Sequence, residues 1–207
     1  MLISILTTLL LLPPTLSCPY PNTTANATQT PTTKTCETAY PSELRLMNSH
    51  YPANESAPSR FFMLLRQSED IFRVATQVQF QSLPKTAYGC QLEMVVPDPN
   101  FTNVYGPKPL INVYTVERDV GSGASWNTYE GDDGIPVFGT VNGDPEVLKE
   151  TRKWGGVVIV NTVECNETLT FQMGMAFPPG ALVNYWDFIN VNPPATPVQG
   201  WRVVHSC

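Results

Sequence analysis

The sequence predicts an all-β fold, an antiparallel β-sandwich or jelly-roll-like domain stabilised by disulfides, and three observations predict it. Apolar and polar residues alternate with period two in several short stretches, as in strands with one face in a core and one in water. The 20 prolines and 13 glycines cluster between those stretches, which favours frequent turns over long helices. Cys18, Cys36, Cys90, Cys165 and Cys207 are widely spaced with no C-x-x-C pair, a pattern suited to disulfides and not to a zinc site.

In chain order, residues 1–17, "MLISILTTLLLLPPTLS", have the form of an export signal. An apolar run from Leu2 to Leu12 meets the helix-breaking Pro13 and Pro14, and Thr15 and Ser17 occupy the −3 and −1 positions of a cleavage after Ser17. The run is far short of the roughly 20 apolar residues that span a bilayer. A secreted, extracellular protein is therefore expected. Residues 18–37 are almost entirely Pro, Thr, Asn and Ala, a composition that cannot form a core and predicts a disordered, glycosylated segment. Sequons at Asn22, Asn26, Asn54, Asn100 and Asn166 agree with a secreted glycoprotein. Cleavage before or after Cys18 leaves an odd or an even number of cysteines, and the sequence is compatible with both.

The domain is expected over 38–207. "FRVATQVQF" sets Phe72, Val74, Thr76, Val78 and Phe80 on one face and Arg73, Gln77 and Gln79 on a wet one. "CQLEMVV" aligns Cys90, Leu92, Met94 and Val96. "TLTFQMGMAF" aligns Leu169, Phe171, Met173, Met175 and Phe177 against Thr168, Thr170 and Gln172. Further strands are expected at 60–66, 110–117, 135–141, 156–163, 182–189 and 201–207, with "DPNFTNVYGPKP" and "FPPG" as turns. One short helix fits "DPEVLKETRK", with Asp144 as cap and Pro145 at the first helical position. Cys90, Cys165 and Cys207 share the apolar faces of their strands, which predicts a sheet-to-sheet disulfide among them. Cys18 with Cys36 would close a small loop.

Function classes narrow by exclusion. A net charge of −6 disfavours a phosphate-backbone partner, so no nucleic acid is expected. No H-E-x-x-H, G-x-S-x-G or P-loop occurs, and "GSGASW" lacks the third glycine of a dinucleotide fingerprint. Of the two histidines, His205 alternates with Trp201, Val203 and Cys207 on an apolar face, and His50 sits in a polar loop. The chain is therefore expected to be non-enzymatic. The connection "GASWNTYEGDDG", 123–134, holds the remaining chemistry. Glu117, Asp119, Glu130, Asp132 and Asp133 cluster around it, and a small carbohydrate-active enzyme would pair Asp132 or Asp133 with a second acid. Asp132 and Asp133 are also candidate ligands of a structural calcium ion, which takes oxygen donors. A sugar-binding surface would use loop aromatics, with amides and carboxylates for the hydroxyls. Tyr105, Tyr129, Tyr185 and Trp186 are the ring candidates, with Glu130, Asp132 and Asp133 as polar partners.

An alternating strand before "YGCQLEMVVPDP", the strand "INVYTVE" leading to "SWN", a valine-rich strand reaching "NTVEC", "LTFQMGM", and the closing "GWRVVHSC" occur in that order. This order resembles the ubiquitin-3-binding-protein (But-two) C-terminal domain of secreted fungal proteins over residues 38 to 207, best at Cys90, Ser125, Trp126, Asn127, Cys165, Gly200 and Cys207. The resemblance implies a β-sandwich module on exported, often wall-associated fungal proteins, with no established catalytic residues. It also makes Ser125, Trp126 and Asn127 a structural anchor and leaves 129–133 to meet a ligand or cation. The expected function is a secreted fungal glycoprotein that binds polysaccharide or another cell-wall component. A structural or protein-interaction module of the wall or host interface is the alternative.

Overall fold

The computed structural model describes residues 35–67, 71–107, 109–131, 135–176 and 183–207, all within the compact unit Lys34–Cys207. The export signal, residues 18–34 of the Thr/Pro-rich segment with Cys18, Asn22 and Asn26, and Asp132 and Asp133 lie outside the described residues, whereas Cys36 and Glu37, expected in that segment, belong to the folded unit. Among the described residues the strands are β1 (Glu37–Ala39), β2 (Glu43–Asn48), β3 (Phe61–Arg66), β4 (Arg73–Gln81), β5 (Cys90–Val95), β6 (Thr102–Tyr105), β7 (Leu110–Val116), β8 (Gly139–Asn142), β9 (Val157–Val163), β10 (Thr168–Met175), β11 (Asn184–Ile189) and β12 (Gly200–His205). All the pairings are antiparallel. A smaller sheet has the order β1-β12-β5-β9. A larger one, curled into a half-barrel, runs β6-β11-β3-β4-β10-β7-β8, with β2 also paired to β4. The expected sandwich is present.

The core lies between the sheets. Phe62, Leu64, Val78, Phe80, Ile111, Val113, Phe171, Met173, Trp186 and Phe188 of the larger sheet meet Leu92, Met94, Trp201 and Val203 of the smaller one. Phe62 stacks on Phe188, with centroids 4.6 Å apart, and packs obliquely on Trp201 at 5.6 Å. The sheets approach each other at β8 and β9, where Asn161 Nδ2 donates to the Phe138 carbonyl at 2.6 Å. There Gly139 faces Val160 so closely that a Cβ would overlap its backbone oxygen and side chain. The one α-helix among the described residues, α1 (Pro145–Lys153), begins as expected. Asp144 accepts from the Glu146 and Val147 amides, and Pro145 fills the first turn, whose missing N–H costs nothing there.

Two expectations fail in the same way. The polar faces of β4 and β10 are not wet: Gln77, Gln79, Thr170 and Gln172 are all buried. Segment 117–131 lies over that outer face and takes up its hydrogen bonds. Three strands went unseen. β1 and β6 are too short to show a period, and in β2 ("ELRLMN") the alternation lasts only to Leu46, after which Met47 is buried on the opposite face from Leu44.

The disulfides are Cys36–Cys207 and Cys90–Cys165. Cys90 and Cys165 flank the paired strands β5 and β9, so this bridge is within one sheet and not between sheets. Cys36 does not close a loop with Cys18. It bonds Cys207 instead, because β1 pairs with β12 in a register that places Glu37 opposite His205 and brings the flanking cysteines together. The bridges enclose 171 and 75 residues of separation, and loops of that size remove about 4–5 kcal/mol of chain entropy from the unfolded state in the simplest treatment.

Candidate functional site

The outer face of the larger sheet has two halves. One is covered by segment 117–131. The other, on β6, β11 and β3, is open, and period two decides what it presents. Trp186 and Phe188 of β11 point into the core, so Tyr185, Asp187 and Ile189 point out. The register sets Tyr185 between Tyr105 of β6 and Leu65 of β3, and Asp187 between Asn103 and Met63. The Tyr105 and Tyr185 rings stack with centroids 5.0 Å apart and planes 21° from parallel. Beside them Asn103 donates to Asp187 Oδ1 through its side-chain amide at 2.9 Å and its backbone N–H at 3.3 Å. The Tyr185 hydroxyl donates to the other oxygen, Oδ2. Tyr105 remains 53% exposed and Ile189 52%. The result is a face-to-face tyrosine pair on a rigid strand pair, half-exposed at Tyr105, beside an amide and a carboxylate that is itself buried and held on both oxygens.

Burial, then the bond to Asp187 and that carboxylate's charge, then Tyr105, push the Tyr185 hydroxyl far above the ordinary phenol range. At neutral pH it is a proton-bearing donor, not a base or a nucleophile. The sign for stability follows from proton counting. Unfolded tyrosine ionises near pH 10, where folded Tyr185 still holds its proton, so its contribution is intact below about pH 10 and declines as pH rises beyond it. In an alkaline titration followed by phenolate absorbance, Tyr185→Phe is expected to narrow the gap between the native and denatured curves by one group. An unchanged gap would place the perturbation elsewhere.

No protein-family model matches the chain, and no curated protein matches it. The site therefore rests on its own geometry.

Segment 123–131 is a lid on the sheet. Ala124 and Tyr129 pack with Met47 and Ala75 in a second small core, against which Trp126 lies half-buried. Trp126–Thr128 form one 3-10 turn. Thr128 Oγ1 accepts from the Ser125 amide at 3.1 Å and donates to the Ser125 carbonyl at 2.9 Å. The Arg73 guanidinium stands 4.7 Å from the Trp126 ring centre, within cation–π range. Tyr129 is 8% exposed, and its hydroxyl fills the space that a Cβ on Gly131 or Gly174 would occupy.

This corrects the sequence expectation at Tyr129 and Trp186; the Glu130 side chain stays partly exposed, and the calcium candidates Asp132 and Asp133 lie outside the described residues. Tyr129 is packed in a core and offers no ring face. Glu130 is engaged by Arg118, while its amide donates to Gln172 Oε1 at 2.8 Å. Trp186 is fully buried, its Nε1 donating to Thr102 Oγ1 at 3.1 Å. Among the described residues no three His, Cys, Asp or Glu side chains group to hold a metal ion. Tyr105 and Tyr185 do come together as ring candidates. Asn103 and Asp187 were missed, although counting by twos along "NYWDFI" places Asp187 on the face of Tyr185. Asn103 carried no such signal, because a four-residue strand inside a Pro- and Asn-rich stretch looks like a turn. The sequon residues Asn54, Asn100 and Asn166 are all exposed.

Proposed function

We propose that this protein is an exported, non-catalytic module of the But-two C-terminal type that binds a neutral polysaccharide of the fungal wall or cell surface. The observation that carries this reading is the stacked Tyr105–Tyr185 pair beside the oriented Asp187–Asn103 couple on the open face. A pyranose ring lays its apolar face on such aromatics, and its hydroxyls are satisfied by a carboxylate and an amide held in place beforehand. Two disulfides and exposed sequons support an oxidising, extracellular setting. Recognition is favoured over hydrolysis because Asp187 is already paired with a protonated tyrosine, while glycoside hydrolysis needs two carboxyl groups at set separations.

The test is retention on insoluble glucan and chitin. Tyr105→Ala and Tyr185→Ala are each expected to weaken retention about tenfold, the equivalent of one lost aromatic contact, with Tyr105→Trp retaining it. Equal retention of wild type and both alanine variants would refute the site.

A second reading, a protein-interaction module, has one observation of its own. Trp154, just beyond α1, is 86% exposed and borders a groove with Val147 and Val157. Cross-linking in intact wall to a single protein, lost in Trp154→Ala and kept in Tyr105→Ala, would favour that reading over polysaccharide binding.

A further inference from the structure

A cleft of about 750 Å³ opens at the end of the sandwich where β7 runs out and β9 turns into β10, and reaches to residues 117–122 at the edge of the outer face. Val163 forms its apolar floor, backed by the buried Leu169 and Phe171. Thr115 and Glu117 continue the inward-facing positions of β7 past the end of the packed core, and Asp119 and Thr168 add polar groups. Its volume lies in the range of small-molecule sites, and its mixture of apolar floor and oxygen-bearing rim suits a saccharide. At its rim is Asn166 of the sequon Asn166-Glu167-Thr168. Asn166 is exposed and its side-chain amide makes no hydrogen bond among the described residues. The amide of Asn100 is already held by Asp98 at 2.9 Å. Asn54 sits in the exposed loop before β3 and does not line this cleft.

We infer that Asn166 carries an N-linked glycan whose first sugars lie in this cleft and act as a fixed part of the fold. In the modification, Asn166 Nδ2 bonds to the anomeric carbon of the first sugar as the bond from that carbon to a lipid-linked diphosphate breaks. The diphosphate leaves with the electron pair, and one amide proton passes to solvent. The sugar's apolar face then covers Val163, while Glu117, Asp119 and Thr115 accept from its hydroxyls. The inference shares export with the proposed function but does not depend on the tyrosine face. Loss of polysaccharide retention would leave it standing.

The test uses the full chain secreted from a glycosylating eukaryotic host, with site occupancy and enzymatic deglycosylation followed by peptide mass spectrometry. The Asn166 glycan is expected to be released at least ~10-fold more slowly from native than from denatured protein, as for a group accessible only after local opening. Glycans at Asn54 and Asn100 are expected to show little difference between the two states. Thr115→Trp, an exposed position whose larger ring fills the cleft, is expected to remove the protection at Asn166 alone. An unmodified Asn166, equal release rates in native and denatured protein, or protection untouched by Thr115→Trp would each overturn the inference.

Discussion

Trp186→Ala is expected to cost about 3–5 kcal/mol of stability, the range for deleting a fully buried tryptophan from a packed core. The ring is completely inaccessible and contacts Phe188 edge-on at 6.3 Å. It lies so close to Gly143 that a Cβ there would overlap it, so the space has no slack on that side and little to collapse with on the others. Loss of Nε1 also removes a donor to Thr102 Oγ1, which itself donates to the Asp187 carbonyl at 2.8 Å. The damage therefore reaches the β6–β11 pairing that carries the tyrosine face. Urea denaturation should show the midpoint fall at nearly unchanged slope. Trp186→Phe should recover much of the loss and leave polysaccharide retention intact. A Trp186→Ala protein of native stability with reduced retention would return Trp186 to the binding surface.

Why Trp186 was expected there, and Asp187 was not, shows how far sequence patterning reaches. Alternation identified most of the long strands because one face of each meets the core, as Leu169, Phe171 and Met173 do, and the transfer of such side chains dominates the free energy. Alternation says that the two faces differ. It does not say what covers the second one. Gln77, Gln79 and Gln172 have the look of solvent-facing residues, yet all three are buried under segment 117–131, a contact made between residues about 40 or more apart in sequence. The same limit applies to the disulfides. Cys90, Cys165 and Cys207 could be assigned to strand faces, but the partner of Cys36 follows from β1 joining β12, a pairing between residues far apart in the chain. The candidate site was half legible. Its two rings are visible as residues, while their stacking depends on β6 pairing with β11, which nothing local announces.

The covered half of the sheet leads to the second large effect. Gln172 is fully buried and its amide bridges sheet and lid. It donates to the Thr128 carbonyl at 2.9 Å and to Gln77 Oε1 at 3.2 Å, and accepts from the Glu130 amide at 2.8 Å. A leucine there fills similar space and satisfies none of the three. Gln172→Leu is therefore expected to cost about 2–4 kcal/mol, from a net value of about 1 kcal/mol per hydrogen bond plus the penalty for partners left buried. Segment 123–131 can lower that cost by lifting away and letting water reach the freed groups. Native-state hydrogen exchange should then show lost protection at the Glu130 amide, while β5 and β12 of the other sheet exchange as before. Stacked Tyr105 and Tyr185 lie on β6 and β11, separated from β10 by β3 and β4, and their contacts do not pass through the lid. Retention on polysaccharide should survive in the folded fraction of Gln172→Leu. If retention instead falls with lid protection while Tyr105→Ala is neutral, the ligand is held by the acidic, aromatic connection after all, and the open face is only surface.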